Sequence, residues 1–459
     1  MRANADNKMT AAERRATFGL AGVYGFRMLG LFLILPVFAL FAEGLPGATP
    51  FLTGLAVGIY GLTQAALQIP FGLLSDRIGR KPVILAGLLL FALGSAIAAV
   101  ADDVWMVILG RAVQGSGAIA AAVMALAADL TREENRTKAM ATIGMTIGAS
   151  FMLAMLAGPV LGRLVGIDGI FWLTAVLALI GIALVALVVP TPSRSSVHRD
   201  AETVPVMLRR VVSTPDLLRL DFGIFTLHLV LTALFLAVPL VLRDLGLAPV
   251  QHSMLYLPVM VVSILLMVPF VILAERRGLM KQVFLGAVAS LAVAQFALGL
   301  AVGHFWGFVL ALGLFFTAFN LLEATLPSLV SKVAPVEAKG TAMGVYSTSQ
   351  FSGAFFGGLV GGWVHQQFGL FAVFEVGALA ALAWLIVAAG MRKPGRYTSR
   401  LVNLAAFERH RIDELAMRLR DVPGVVEAVV VADERVAYLK VDRDRLDDLA
   451  LDEIVARPA

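Results

Sequence analysis

Between residues 17 and 391 the chain is a succession of long apolar blocks separated by short polar stretches. Each block runs for about 20 residues, the length an α-helix needs to cross the hydrocarbon core of a bilayer. The pattern predicts twelve membrane spans, at 17–42, 50–75, 82–100, 104–128, 139–163, 168–190, 217–242, 252–274, 280–301, 305–329, 340–363 and 369–391. Glycine and proline recur inside them. Membrane helices tolerate both, because neighbouring helices and side chains satisfy the freed backbone groups. The fold class is therefore an all-α membrane protein, followed by a small α+β unit.

The polar stretches alternate in charge. One set carries Arg14 and Arg15, then Arg77, Arg80 and Lys81, then Arg132, Arg136 and Lys138, then Arg194, Arg199, Arg209 and Arg210. It continues with Arg276, Arg277 and Lys281, with Lys332 and Lys339, and with Arg392, Lys393 and Arg396. The other set holds only Arg243, with Arg163 near one edge. The positive-inside rule makes the first set cytoplasmic and places both termini inside. An even number of spans requires the same.

The longest polar stretch divides the spans six and six. This gives a first half at 1–190, a cytoplasmic linker at 191–216 and a second half at 217–391. An internal repeat is the expected reason. Acid, basic, glycine and basic positions recur in GLLSDRIGRKPV after span two and LAERRGLMKQV after span eight. Within the linker, PVMLRRVV reads either as a short surface helix or as a plain tether.

From Tyr397 the composition turns soluble, and 397–459 reads as a separate domain. Helices are expected at 407–420, with Leu415 and Leu419 on one side, and at 443–450. Strands are expected at 425–431 and 435–441, joined by the turn ADE, with weaker ones near 400–405 and 453–456. The order approximates a split βαβ of the ferredoxin-like kind. At about 60 residues the unit is small for an independent fold. It either leans on the membrane body or pairs with a copy of itself.

Composition supports this picture: 59% of residues are hydrophobic and 15% charged, against roughly 25% charged in soluble chains. The net charge of +5 does not indicate nucleic acid, because the basic residues sit in short loops between spans. The absence of cysteine excludes disulfides and thiolate metal sites. No cleavage site follows the polar opening, so the first helix is expected to be retained. No phosphate-binding loop, nucleophile triad or metal-ligand cluster is visible. The expectation is therefore no enzyme, no cofactor and no metal.

Three motifs carry candidate chemistry. Gly72-Leu73-Leu74-Ser75-Asp76-Arg77-Ile78-Gly79-Arg80-Lys81 joins spans two and three. Arg80 can pair with Asp129 at the end of span four, and such a cluster would gate one side; the plainer reading is a basic turn. Arg111, in the run Arg111-Ala112-Val113-Gln114-Gly115-Ser116-Gly117, lies about two turns inside span four. An arginine there is costly and should face a cavity or a partner, or else snorkel outward. In span five, Gly144 and Gly148 precede Gly158, Pro159 and Gly162. Small residues four apart permit close helix contact, and ordinary packing explains them as well.

Polar residues inside other spans suggest one midplane cavity, lined by Tyr24, Tyr60, Gln64, Gln68, Asn320, Tyr346 and Gln350. Glu323 reads as the one carboxylate well inside an apolar span. Desolvation makes such a group a candidate proton carrier, unless Arg27 or Lys332 holds it permanently. His228 either titrates or is a hydrogen-bonded packing residue.

The first loop resembles the signature Gly-x-Leu-x-Asp-Arg-x-Gly-Arg-Lys of the major facilitator superfamily. The Arg111 run resembles that family's Arg-x-x-Gln-Gly-x-Gly, and Gly158-Pro159-x-x-Gly162 resembles the motif of its drug–proton antiporters, although Arg163 stands where the pattern has a second glycine. The resemblance implies a twelve-helix facilitator fold, contact of Asp76 with span eleven near Gly340, and a proton-coupling role for Arg111. Some drug–proton antiporters carry an acid in span one. Here that span has Arg27 and no acid, which shifts weight to Glu323, with Arg27 tuning it. Arg27-Met28-Leu29-Gly30, Gly58-Ile59-Tyr60-Gly61-Leu62-Thr63-Gln64 and the appended domain together resemble the YajR-type transporters of bacteria. The expected function is a proton-coupled exporter of small amphiphilic or drug-like compounds in the bacterial inner membrane. A proton-coupled metabolite importer and a membrane sensor are the alternatives. The expected partners are the substrate, protons and the lipid bilayer. For the soluble domain, regulation or ligand sensing, self-association and a passive role stay open; its His410 and scattered acids name no ligand.

Overall fold

The computed structural model describes residues 8–191, 207–335, 338–392, 397–403, 412–431, 436–442 and 445–456. Among them, nine helices are long and apolar enough to cross a bilayer. Two of these, Glu133–Ala183 and Lys339–Ala389, each contain a pair of predicted spans, five with six and eleven with twelve. The chain turns from one span to the next at Gly166 (φ 69°, ψ −178°) and at Gly369 (φ 83°, ψ −179°). Only glycine adopts that backbone without strain. The same turn at the same place in both halves is the backbone trace of the repeat.

Two spans expected to be continuous are broken. Span one runs as Ala11–Phe32 and Phe38–Ala42, with tighter turns between them: the Leu35 amide donates to Phe32 O at 3.0 Å and the Val37 amide to Ile34 O at 3.1 Å. Pro36 lacks the amide that would continue the helix. Span four runs as Val104–Ser116 and Ala120–Asp129. At the break the Gly117 carbonyl accepts from the Ile119 amide at 2.9 Å in a tight turn in place of a regular helix bond. The other spans are Pro50–Ile78, Arg80–Ala99, Pro215–Asp244, His252–Arg277, Met280–Leu300 and Phe305–Val333. Leucine and isoleucine such as Leu187, Leu265, Leu310 and Ile386 point outward, as bilayer-facing positions require.

The halves meet on the side away from the termini. There Gly54 and Gly58 of span two pack directly on the backbone of Gly358 and Phe355 in span eleven. The Phe51 amide donates to Gln366 Oε1 at 3.2 Å, Ser253 Oγ donates to Leu156 O at 2.8 Å, and Arg243 pairs with Glu43. A cavity of about 190 Å³ lies beside that pair, lined by Thr49, Pro50, Thr53, Leu236 and His365. Toward the terminal side, Gly144 and Gly148 of span five and Gly340 and Gly344 of span eleven face open space. The contacts between the halves therefore lie on the far side, while these four glycines have no neighbour within 4 Å.

Residues 192–206 of the linker lie outside the described residues, and Met207–Val212 form a short helix before span seven. In the soluble domain, β1 (Tyr397–Asn403), β2 (Val425–Val431) and β3 (Val436–Asp442) form an antiparallel sheet in the order β1-β3-β2. Helices Ile412–Arg420 and Asp448–Ala456 belong to the same unit, with Leu415, Leu419 and Leu451 buried on Ala428, Leu439 and Val441. The strand expected near 453–456 is instead the end of the second helix, because Leu451 and Ile454, three apart, both pack on the core. The turn 432–435, His410 and the beginnings of both expected helices, at 407–411 and 443–444, lie outside the described residues. On β3, Lys440 is buried and donates to Ala334 O at 3.2 Å, just past the end of span ten. A cation suits the negative end of a helix, and burial pulls this ammonium below the ordinary lysine value.

In the polar first turn of its helix, ahead of the apolar stretch that begins at residue 17, Glu13 ties span one to the loop after span four. It accepts from Arg132 Nε at 3.0 Å and from the Arg132 amide at 2.8 Å. The Arg132 guanidinium outweighs the effect of burial and holds the carboxyl at about 2, below its ordinary value of 4.5. A carboxylate depressed in the folded state stabilises above its unfolded pKa, and that contribution falls away as pH drops toward the folded value. Thermal melts of the purified protein should therefore lose stability between about pH 5 and pH 2, and Glu13→Gln should flatten that part of the profile. An unchanged profile in the variant would show that the contact contributes nothing.

Candidate functional site

The first half buries two arginines around one tyrosine. Arg27 of span one is 1% exposed. Its Nη2 donates to Tyr60 Oη at 2.7 Å, to Gln64 Oε1 at 2.8 Å and to Gly117 O at 3.0 Å. The third acceptor exists because span four breaks there. Gln64 Nε2 passes the chain on to Gln68 Oε1 at 3.0 Å. Arg111 donates to Gln114 Oε1 at 2.8 Å and to the carbonyls of Ala56 and Val57 at 3.3 Å. Gln114 in turn donates to Ser95 Oγ at 2.7 Å. Both guanidinium groups also lie near the Tyr60 ring, 5.9 Å and 5.0 Å from its centroid, a favourable placement for a cation. Neither arginine forms an ion pair among the described residues, and Arg27 Nε and Nη1 have no hydrogen-bond partner. Arg111 is buried rather than snorkelling.

The second half answers with acids. Glu323 on span ten takes a long hydrogen bond from Gln350 Nε2 at 3.5 Å, while its Oε2 has no partner. The same Gln350 nitrogen lies 2.8 Å from His228 Nε2, and the opposite ring nitrogen, Nδ1, lies 3.3 Å from Ile224 O. Donation from Gln350 to Nε2 and from Nδ1–H to the carbonyl fits the Nδ1-protonated tautomer. His228 is therefore hydrogen-bonded on both sides. Tyr346 Oη and Asn320 Nδ2 are buried without partners. Lys332, the suggested partner of Glu323, pairs instead with Glu275 at 3.1 Å, and Arg27 is held by Tyr60 and Gln64. Glu323 has no ion pair among the described residues. Across the seam between the halves, the Tyr60 ring stands 6.4 Å from that of Phe351. Tyr24 is buried beside Arg27, with no hydrogen bond among the contacts described.

At the terminal side, Gly79 ends span two with φ 98°. Arg80 pairs with Asp76, lies 3.5 Å from Asp129 Oδ2 and donates to Ser75 Oγ at 2.7 Å. Ser75 is anchored on Gly72 O at 2.7 Å. Arg77 is exposed. In span five, a side chain at Gly158 would stand 2.7 Å from Leu33 O and 2.8 Å from Pro36 Cγ. Gly158 and Gly162 thus lie against the broken turn of span one, and Pro159 lies between them.

Some polar groups were missed by reading the sequence. Gln114 and Ser95 support Arg111. Asp221 is 6% exposed on span seven. It lies near the polar end of its block, beside Arg219, and so reads as a boundary residue.

The pattern of the Major Facilitator Superfamily matches residues 20–220 and 220–422, and that of the YajR YAM domain matches 409–456. The chain is 49% identical over 441 residues to the inner membrane transport protein YajR of Escherichia coli (strain K12), covering 95% of this chain and 96% of that one. It is 24% identical to the multidrug resistance protein MdtH of Yersinia pestis (strain Pestoides F), over 74% of this chain and 84% of that one. The human organic anion transporter MFSD10 shares the fold, with a TM-score of 0.61 and 20% identity over 83% of this chain and all of that one. This chain belongs to the major facilitator superfamily, as a YajR-type membrane transporter with a YAM domain at its C-terminal end.

Proposed function

We propose that this transporter exports small amphiphilic or drug-like compounds in exchange for protons, by alternating access, with both termini in the cytoplasm. The observation that carries the reading is Glu323, a carboxylate on span ten with no ion pair and one unpartnered oxygen, beside the seam between the halves. An ionisable group in that position is the expected mark of a proton path. Arg27 and Arg111 set the field on the opposite wall and tune the carboxylate. Tyr24, Tyr60, Gln64, Gln68, Asn320, Tyr346 and Gln350 supply the few polar contacts to the substrate, and His228 orients Gln350. Glycines 158 and 162 let span five close on span one, which supports export.

In this reading a pocket opens to the cytoplasm on the terminal side, where Gly144, Gly148, Gly340 and Gly344 stand uncovered. The cluster of Asp76, Arg80 and Asp129 is the gate that re-forms contact with span eleven when this side shuts. The free faces of Gly340 and Gly344 leave room for that movement.

Three outcomes follow from this reading. In proteoliposomes with an imposed pH gradient, Glu323→Gln should lose roughly tenfold in gradient-driven transport of a drug panel, within the usual range of coupling between two sites. Proton release on substrate addition should vanish with it; release that survives removes Glu323 from the role. Asp76→Asn should insert normally and transport several-fold more slowly, and wild-type rates would dismiss the gate. The chain has no cysteine, so an Arg77→Cys variant reports orientation directly. A membrane-impermeant thiol reagent should label it only from the cytoplasmic face, and labelling from outside intact cells would invert the topology.

A further inference from the structure

A second buried carboxylate stands in the half that holds Glu323. Asp221 lies six residues into span seven, roughly 9 Å along the helix from its terminal-side end. Its Oδ2 has no hydrogen-bond partner. Arg219, two residues away on the same helix, is engaged with Asp216 at 2.6 Å. From span nine, Lys281 donates to Ala389 O at 3.1 Å. From span twelve, the Trp384 indole packs on Gly223, and its Nε1 is likewise unpartnered. From span eleven comes Tyr346, whose buried hydroxyl has no partner and which lies within electrostatic reach of both Asp221 and Glu323. Asp221 forms no ion pair among the described residues.

Three oxygens are thus left without partners on three adjoining spans: Asp221 Oδ2, Tyr346 Oη and Glu323 Oε2. Buried polar atoms are ordinarily satisfied, and each exception calls for a reason. Structural ion pairing does not supply one, because none of the three pairs with a cation among the described residues. A carboxylate–phenol–carboxylate series is, however, competent to pass a proton.

We infer that Asp221 is a second proton-carrying carboxylate, and that Tyr346 relays protons between it and Glu323 along the C-terminal half. The inference rests on the reading of Glu323 as a proton site. In the transfer, the O–H bond of protonated Asp221 breaks as one forms on the Tyr346 oxygen. The original Tyr346 O–H breaks as one forms on Glu323 Oε2. One proton moves, no electrons are exchanged, and the phenol ends as it began, once its hydroxyl has turned back. None of the three oxygens bonds another directly, so each step runs through a bridging water. The path runs from near the terminal-side end of span seven toward the seam, within the half that lacks Arg27 and Arg111.

The test is infrared difference spectroscopy of the full-length protein in nanodiscs after a pH jump, reading the carbonyl bands of protonated carboxyl groups. Asp221→Asn should abolish one band and Glu323→Gln another. Tyr346→Phe should keep both and delay the Glu323 band several-fold. Asp221→Glu should restore a shifted band, which separates loss of the carboxyl from loss of the fold. Bands and rates unchanged in Asp221→Asn overturn the inference, as does a response to sodium ions at constant pH in place of the response to protons. If Asp221→Asn removes a band and Glu323→Gln removes none, the relay is overturned through failure of the Glu323 reading.

Discussion

A guanidinium buried in a membrane bundle must find its acceptors inside the protein, and Arg27 finds three of them without a carboxylate. That constraint shapes much of the first half. Water is excluded, so the cost of burying the charge falls only if neutral dipoles converge on it. Tyr60 and Gln64 come from span two, and the carbonyl of Gly117 comes from span four. A continuous span four would have kept that carbonyl within its own helix. The break at Gly117 and the placement of Arg27 are therefore one feature seen from two spans. Arg111 repeats the solution a short distance away, with Ala56, Val57 and Gln114 as acceptors and the same tyrosine ring beside it.

Closure on the far side follows from a different rule. Nothing apolar drives helices together in lipid, so association depends on close contact and on hydrogen bonds. Gly54, Gly58, Gly358 and Gly362 provide that contact by letting backbones touch. The pair Glu43–Arg243 and the bond from Phe51 to Gln366 add polar ties at the rim. The glycines at the other end of spans five and eleven are equally small yet stand free. Small residues at both ends allow either end to close, which is what alternating access needs of a bundle.

The spans were legible because hydrocarbon imposes a length and a polarity on each, and the run of apolar residues records both. The breaks at 33–37 and at Gly117 were not, because apolar composition continues through them. Pro36 and Gly117 mark those places, but membrane helices carry both residue types without breaking. The partners of Arg27 were hidden for another reason: they lie 33 to 90 residues away in sequence. Glu323 stood out because its neighbours are apolar, whereas Asp221 was masked by Arg219 and Asp216. In the soluble domain β2 and β3 were readable from valine-rich runs. The segment near 453–456 looked strand-like in isolation, and only the packing of Leu451 and Ile454 shows it to be helix.

The repeat that relates the halves conserves the backbone turns but not the charges inside the spans. Gly166 and Gly369 turn the chain alike, and each half closes with a pair of spans joined there. The charges inside the apolar stretches differ in sign, with Arg27 and Arg111 in the first half and Glu323 and Asp221 in the second. Charges of opposite sign on two bodies that move relative to each other form a variable field. Their interaction strengthens as the walls approach and weakens as water enters between them. A twofold-symmetric distribution could not do this, because each wall would repel its mate. Under the proposed proton exchange, this chemical asymmetry would let rigid-body motion of the halves alter the proton affinity of Glu323, and sequence divergence within a common backbone is how such an asymmetry arises.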